Sequence, residues 1–256
     1  MTDQLIIALP DFQVPFHDPA LTRLMVRFIG EVQPDKVIHV GDLIDEPEPS
    51  RWNRGAAGEY AGTLADSFET TRQWLRDLRA VYDGPFHLKV GNHDRRVQEY
   101  IRRYAPALDC FDELKLERLL RADEYDVRVE HDIFDVAPGW VCAHGDEGGF
   151  SSRAGETAMK LADSIGKSVV CGHTHRAALL AKSYGYNGRT RPLYGLEVGN
   201  AMKYGPGNAY LRKGAANWQQ AFGVLRVRGS ETIPEVVYVR GGGFYFGGEW
   251  FGKAGR

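Results

Sequence analysis

Residues 86–94 read FHLKVGNHD, a short apolar run that ends at a glycine and continues into asparagine, histidine and aspartate. Four other apolar runs end in a similar way, and the polar residues that follow them are Asp11, Gly41-Asp42, His144-Gly145-Asp146 and Gly172-His173-Thr174-His175. In open α/β sheets, ligand sites form at the carboxyl ends of the strands. We therefore expect five polar clusters that are distant in sequence to meet at one edge of a sheet.

Between these clusters the sequence alternates between strand and helix patterns. Short apolar runs predict strands over residues 5–9, 37–40, 86–90, 140–143 and 168–171, and later over 177–182, 193–198, 222–227 and 235–240. Amphipathic spacing predicts a helix that enters at Asp18-Pro19 and runs until Pro34, and further helices over 63–82 and over 153–165. This alternation indicates an α/β fold. The last four strands have few helices between them, which indicates a second, more antiparallel sheet.

Length and composition are those of a globular protein. The chain has 256 residues, of which 43% are hydrophobic and 26% are charged, and this excludes a disordered, fibrous or coiled-coil protein. No run approaches the ~20 apolar residues of a membrane span, and no secretory signal is visible. The three cysteines cannot all pair, so we expect a cytoplasmic location. We expect one domain over residues 1–240 and a glycine- and aromatic-rich tail over 241–256, poorly ordered unless its aromatic side chains dock.

The polar clusters contain ligands that suit a divalent metal ion. Carboxylates, an amide oxygen and several imidazoles are suited to Mn²⁺, Fe, Zn²⁺, Co²⁺ or Ni²⁺. One carboxylate can bridge two such ions held about 3.5–4 Å apart, a spacing that activates a water molecule and stabilises an in-line displacement at phosphorus. The residue types therefore suit a site for one or two of these ions, of which we favour Mn²⁺.

The order of the clusters resembles that of the calcineurin-like metallophosphoesterase superfamily, whose motifs are D-x-H, G-D, G-N-H-D/E, H and G-H-x-H. The resemblance spans about residues 5–200, and four of the five blocks match. It implies a four-layer αββα sandwich of two mixed β-sheets flanked by helices. It also implies hydrolysis of a phosphate ester by attack of a metal-bound water or hydroxide.

The resemblance also implies a role for each motif residue. The expected ligands are Asp11, Asp42 and His175 for the first metal ion, and Asp42, Asn92, His144 and His173 for the second, which makes Asp42 the bridge. His93 is expected to lie over the phosphate, where it would stabilise developing charge or protonate the leaving oxygen. Asp94 is expected to orient that imidazole. Asp45 and Asp146 lie beside the motifs and are interpreted as supporting or solvated carboxylates rather than ligands.

One residue departs from the family motif. Gln13 stands where D-x-H has its histidine, and it offers only a neutral, weakly donating amide oxygen or a water molecule held by that oxygen. The first metal ion is therefore expected to bind more loosely than the second. His17 and His39 are nearby alternatives, but His39 falls at the predicted strand and His17 lies in a proline-containing loop, so a structural role is favoured for both.

A basic and aromatic stretch follows the last motif. From Arg176 to Lys213 there are seven lysine or arginine residues, five tyrosines and a single acid, Glu197. Such a composition is typical of surfaces that bind nucleotides or single-stranded nucleic acid, and a solvated loop with core tyrosines is an equally weighted alternative. A second candidate for the substrate-binding surface is residues 46–62, between the Asp42 and Asn92 motifs, with Arg51, Trp52, Arg54 and Tyr60. The candidate substrate contacts are Arg95, Arg176 and Tyr204, with Arg96 as an alternative.

These observations favour a phosphodiesterase that acts on nucleotides or single-stranded nucleic acid. A phosphomonoesterase, including a protein phosphatase, is the alternative enzyme, and a binding module that has lost catalysis is the alternative of another class. Gln13 is the one feature that supports the binding module. The compact size and the segment Asn217-Trp218-Gln219-Gln220 also resemble metallophosphoesterases encoded by bacteriophages. No membrane partner is expected, and the oligomeric state is not indicated.

Overall fold

The computed structural model describes residues 3–205 and 216–252. Within these ranges the chain forms thirteen strands and five α-helices. In chain order they are β1 (Gln4–Leu9), α1 (Pro19–Val32), β2 (Lys36–His39), α2 (Leu64–Arg79), β3 (Phe86–Lys89), α3 (Arg96–Tyr104), α4 (Leu116–Leu120), β4 (Val127–Glu130), β5 (Phe134–Ala137), β6 (Trp140–Cys142), α5 (Glu156–Ile165), β7 (Ser168–Cys171), β8 (Ala177–Tyr186), β9 (Arg189–Val198), β10 (Ala221–Arg228), β11 (Glu231–Tyr238), β12 (Gly243–Phe246) and β13 (Glu249–Gly252). None of the helices in the described part of the chain has the length and apolarity needed to cross a membrane.

The larger sheet has six strands in the order β11-β10-β1-β2-β3-β4. Strands β1 to β4 run parallel, whereas β10 is antiparallel to β1 and β11 is antiparallel to β10. β1 lies between β10 and β2, and its residues 6–9 are fully buried. A parallel strand that is covered on both faces requires such a continuous apolar run.

The smaller sheet has five strands in the order β5-β6-β7-β9-β8 and packs against the larger one. Between the two sheets, side chains such as Ile6 and Ile38 from one meet Val170 and Leu196 from the other in a single buried cluster. Apolar residues of α1 and α2 belong to the core on the outer face of the larger sheet, and those of α5 to the core on the outer face of the smaller one. The four-layer sandwich of two mixed sheets flanked by helices is therefore confirmed.

The predicted assignment of strands to sheets is wrong in part. β10 and β11 join the larger sheet beside β1, although we expected them in a second sheet with the strands before them. β6 and β7 belong to the smaller sheet, and β4 and β5 were not predicted at all. Local apolar patterns indicate where a strand forms, but they carry no information on its partner, and four-residue strands give little pattern.

The C-terminal segment forms an antiparallel hairpin of β12 and β13. Phe244 and Phe251 are buried, and their rings lie 5.1 and 5.0 Å from the ring of Phe28 on α1. Over residues 243–252 the aromatic side chains therefore dock on Phe28 of α1, which is the stated alternative to a poorly ordered tail. Residues 253–256 of the expected tail lie outside the described residues.

Candidate metal centre

Side chains from the loops after β1, β2, β3, β6 and β7 converge at the carboxyl edge of the sheets. Two groups of metal-ligating residues form there, with ligand atoms that lie within 4.8 Å of one another inside each group. The groups are Asp11, Asp42 and His175, and Asp42, His144 and His173. Asp42 belongs to both, as expected of a carboxylate that bridges two ions.

Asn92 completes the second group. Its Oδ1 lies 2.8 Å from Nδ1 of His173 and 3.1 Å from Nε2 of His144, so three potential ligand atoms point to one volume. The other ring nitrogen of His144, Nδ1, lies 3.0 Å from the carbonyl oxygen of Val40. A proton on Nδ1 that is donated to this carbonyl leaves the lone pair of Nε2 for a cation, and it fixes the orientation of the ring.

Two glycines allow the carboxylates to approach the backbone. A Cβ atom at Gly91 would lie 2.2 Å from Oδ1 of Asp42, and one at Gly172 would lie 1.9 Å from Oδ1 of Asp11. Both distances are far below van der Waals contact. The glycines of the G-N-H-D and G-H-x-H motifs are thus required by close packing of the two ligands.

The ligand residues also have an unusual backbone conformation. The φ angles of Gln13, Asp42, His173 and His175 are 56°, 52°, 65° and 57°, which is the left-handed region that side chains other than glycine rarely adopt. Such conformations cost free energy of folding, on the order of 1–3 kcal/mol each, and they cluster at functional sites. Their concentration at this edge supports a functional role for the cluster.

The electrostatics of the cluster favour a cation. Burial acts to raise the pKa of the Asp42 carboxyl, but the imidazoles of His144 and His93 outweigh it and hold that pKa well below its usual range. Burial acts to lower the pKa of His144, but the charge of Asp42 outweighs it and raises that pKa to about 10. Burial and the charge of Asp42 raise the pKa of Asp94 to about 6. The buried carboxylates thus stabilise positive charge between them.

Two buried oxygens support the fit to a metal ion. Oδ2 of Asp11 accepts a hydrogen bond from the backbone N–H of His173 at 2.8 Å, but its Oδ1 and the Oε1 of Gln13 have no hydrogen-bond partner among the described residues. Buried oxygens without donors are rare in native structures, and a bound cation satisfies them. The donor set of carboxylates, imidazoles and amide oxygens therefore fits two divalent ions.

Gln13 lies inside the first group and is fully buried. Its Nε2 donates a hydrogen bond to Oδ2 of Asp42 at 2.8 Å and lies 3.4 Å from Nε2 of His175. The oxygen and nitrogen of a side-chain amide have nearly the same shape, and their placement is assigned from hydrogen bonding. A half-turn of the Gln13 amide would therefore place Oε1 between Asp42 and His175. Gln13 is thus positioned to contribute an oxygen to the first site.

The two alternative histidines lie elsewhere. His39 packs edge-on against Phe12 with ring centroids 4.6 Å apart, and its Nδ1 lies 3.3 Å from the backbone nitrogen of Gly41. Burial lowers its pKa to about 3, which describes a neutral core imidazole. His17 forms an isolated β-bridge with Met202. Neither belongs to the two ligand groups found among the described residues.

Restoring the family residue by Gln13→His is expected to tighten the first metal ion by about 10-fold, the scale of a ligand-sphere change, because imidazole is a better donor than an amide oxygen. Titration of apo-protein with Mn²⁺ measures both affinities, and the wild type should bind its first ion more weakly than its second. Equal affinities in the wild type, with no gain in the variant, would contradict this prediction.

His93 lies next to the ligands without belonging to either group. Its Nε2 is 3.8 Å from Oδ2 of Asp42, and its Nδ1 contacts the carboxylate of Asp45. Burial acts to lower the pKa of His93, but the charges of Asp42 and Asp45 outweigh it and raise that pKa above its usual value. A protonated imidazole at this place can donate a proton to a leaving oxygen.

The expected role of Asp94 needs correction. Its carboxylate accepts hydrogen bonds from the backbone N–H groups of Asp42, Ile44 and Gly91 at 2.7, 3.0 and 2.8 Å. Asp94 therefore fixes the loop that carries Asp42, and it is Asp45 that contacts the imidazole of His93. The Asp94 carboxylate lies between the loop after β2 and the loop after β3, because three backbone N–H groups of these loops converge there. This convergence cannot be recognised in the sequence.

The candidate substrate residues differ in their surroundings. Arg176 is 6% exposed, and its guanidinium donates to the carbonyl oxygen of Ser152 at 2.6 Å, so its assignment as a substrate contact is wrong. Arg95 is paired with the carboxylate of Asp146, and the hydroxyl of Tyr204 lies 2.9 Å from Nδ2 of Asn200. Contacts of Arg95 and Tyr204 with a substrate remain predictions.

Several supporting residues were missed in the sequence. The carboxylate of Glu147 accepts hydrogen bonds from the backbone N–H groups of His144 and Gly145 at 3.1 and 2.7 Å, and its Oε1 lies 3.2 Å from Nζ of the buried Lys89. The ring of Trp218 packs edge-on against His175 at 4.5 Å. Lys89 ends β3 shortly before the G-N-H-D motif, and a lysine in this position is a sequence signal for the ion pair with Glu147. The contact of Trp218 with His175 depends on two segments that are far apart in sequence.

Fold and site together are those of a metal-dependent phosphoesterase. The family model described as calcineurin-like phosphoesterase matches residues 5–177, and the chain belongs to this family. It is 42% identical over 243 residues to the Gene 54 protein of Mycobacterium phage D29, and 39% identical over 243 residues to that of Mycobacterium phage L5. Each match covers 93% of this chain and 95% of the phage protein.

Solved structures that are similar to this one have low sequence identity to the chain. A structure of Vacuolar Protein Sorting 29 from Cryptosporidium parvum has 14% identity and a TM-score of 0.49, with 99% of this chain and 100% of that chain covered. The phosphoesterase YfcE from E. coli has 12% identity and a TM-score of 0.43, with 92% and 100% covered.

Proposed function

We propose that this phosphoesterase hydrolyses phosphodiester bonds of nucleotides or nucleic acid. The observation that carries the proposal is the pair of ligand groups that share Asp42, with His93 beside them. Asp11, Gln13, Asp42 and His175 would hold one ion, and Asp42, Asn92, His144 and His173 the other. When bound, such ions supply Lewis acidity toward the phosphate and a nucleophile at neutral pH, and Mn²⁺ is the favoured metal.

The protein's own residues contribute position and a proton. The Asp45 carboxylate holds the ring of His93 on the side of Asp42, where a phosphate between the ligand groups would meet it. From this position the imidazole of His93 can donate a proton to the leaving oxygen of such an ester. A diester is favoured because an open cavity begins at Asn92 and His93 and leaves room for a second esterified group.

Comparison of two small substrates tests the proposal. We expect Mn²⁺-dependent hydrolysis in which bis-p-nitrophenyl phosphate has a higher kcat/KM than p-nitrophenyl phosphate, and no hydrolysis by an Asp42→Asn control that lacks the shared carboxylate. A preference for the monoester would instead favour a phosphomonoesterase or protein phosphatase. If neither substrate is hydrolysed with any of the suitable metals, the result would favour a binding module that has lost catalysis, the alternative that Gln13 supports.

A further inference from the structure

A cleft opens beside the metal centre, between the loop of residues 49–54 and helix α3. It has a volume of about 420 Å³, and one end is formed by Asn92 and His93 of the centre itself. The remaining wall is mainly basic and aromatic, with Arg51, Trp52, Arg54, Tyr100, Arg103 and Tyr104, and it includes one acid, Glu99, which is paired with Arg95 at 3.8 Å. A molecule held in this cleft would therefore continue into the reacting phosphate.

Three arginines of the cleft form no salt bridge among the described residues, although Glu59 lies close enough to Arg54 to interact with its charge. Among the described residues, no carboxylate lies within ion-pairing distance of Arg51, Arg54 or Arg103, whereas Arg96, at the end near His93, is 3.3 Å from the carboxylate of Asp45. Guanidinium groups that are fixed near a catalytic site without an acidic partner are suited to bind phosphate. The cleft thus has a charge that complements a polyanion.

The aromatic residues give the cleft flat apolar faces. Trp52 is 77% exposed, which is unusual for so large an apolar side chain, and the guanidinium of Arg51 lies 4.8 Å from its ring centroid. Arg54 of the same loop reaches across to α3 and stacks over the ring of Tyr104 at 3.7 Å. Each arginine therefore stands beside an aromatic face, which is the combination that binds a phosphate and the adjacent base of a nucleic acid strand.

We propose that this cleft is a subsite for single-stranded nucleic acid, in which a base stacks on Trp52 and the phosphates next to the scissile one bind Arg51, Arg54 and Arg103. The inference rests on the proposed function and assigns its substrate. The aromatic faces favour a nucleic acid over a phosphopeptide, because every base offers a ring face to stack on them whereas most peptide side chains do not.

The position of the cleft also favours it over the basic stretch that follows the last motif. The described part of that stretch is mainly the hairpin of β8 and β9. Its tip near Tyr186 lies about 30 Å along β8 from the first residue of the strand, Ala177, at the usual rise per residue. Arg212, Lys213 and Tyr210 of the stretch lie outside the described residues. The cleft, in contrast, shares Asn92 and His93 with the centre.

Binding of a fluorescent oligothymidylate, measured by anisotropy, tests the subsite. The metal-loaded His93→Ala variant serves as the parent protein, because its expected loss of about 10²- to 10⁴-fold in kcat slows cleavage of the strand during the measurement. Adding Trp52→Ala should weaken binding by about 5- to 150-fold, the loss of one stacked base, without a change in its salt dependence. Adding Arg103→Gln should reduce the slope of log affinity against log salt by about 0.7, the loss of one phosphate contact. Tyr245→Ala, an aromatic residue that is 67% exposed outside the cleft, should have no effect.

The same assay contains the results that would overturn the subsite. An abasic strand of equal length should bind the parent protein as weakly as the normal strand binds the Trp52→Ala protein. Equal affinity of the parent protein for the abasic and the normal strand would refute stacking. A loss with Tyr186→Ala but none with Trp52→Ala would place the strand on the hairpin, and tighter binding of a phosphopeptide would exclude nucleic acid as the substrate. The proposed hydrolysis is judged separately, by the wild type on bis-p-nitrophenyl phosphate, so either proposal can fail alone.

Discussion

Replacement of His93 by alanine is expected to lower kcat by about 10²- to 10⁴-fold, the range of a general acid–base contribution, and to leave the metal content nearly unchanged. The imidazole lies 3.8 Å from Asp42 and belongs to neither ligand group. The backbone of the same residue does support the centre, because its N–H donates to Oδ1 of Asp42 at 2.8 Å, but alanine retains this N–H. The side chain can therefore be removed without removing a ligand.

Steady-state kinetics with bis-p-nitrophenyl phosphate and metal analysis of the purified variant check this prediction together. His131→Ala is a suitable control, because that side chain is mostly exposed and pairs with Glu117 at the surface. Loss of bound metal in His93→Ala would show that His93 is a ligand, and an unchanged kcat would show that another group supplies the proton.

A single methyl group at Gly91 is expected to reduce kcat/KM by about 100-fold or more, the effect of moving a reacting group by about 1 Å. The new Cβ would lie 2.2 Å from Oδ1 of Asp42 and 2.4 Å from the backbone nitrogen of the same residue. The backbone cannot give way as a flexible side chain can, so the shared carboxylate must move. Both metal sites should then be weakened together, since Asp42 belongs to both groups.

Gly149→Ala provides a matched control, because a Cβ at that position would meet nothing within 4 Å. Thermal unfolding of both variants separates a displaced ligand from a protein that does not fold. A folded Gly91→Ala protein with wild-type activity and metal content would contradict the position of Asp42 in the centre.

The sequence was sufficient to predict which residues come together in the candidate metal centre. Asp42 and Asn92 each follow a glycine at the end of an apolar run, and this local signal indicates both a strand end and a close approach of the backbone. The order of the motifs then indicated the family. Gln13 could be singled out as a departure from the motif, because a substitution inside a motif is visible without a structure.

Other features could not be predicted, because they depend on contacts between distant segments. The carboxylate beside His93 is that of Asp45, in the preceding motif loop, and not the adjacent Asp94. Arg176 is charged, yet it is buried because backbone carbonyl oxygens of the loop at Ser151 and Ser152 surround its guanidinium. Neither the contact of Asp45 with His93 nor the burial of Arg176 can be recognised from the residues next to them in the sequence.

The central position of β1 in the larger sheet has a consequence for synthesis on the ribosome. β1 pairs with β10, so that Gln4 lies opposite Val227, and Asp11 after it forms a bridge with Asn200. Strands β1 to β4, with Asp42 and Asn92, are complete within the first 130 residues of the chain. The partners of Asp11 are translated much later. The emerging chain can therefore assemble the Asp42 side of the centre early, whereas the surroundings of Asp11 are completed only after residue 200 has left the exit tunnel.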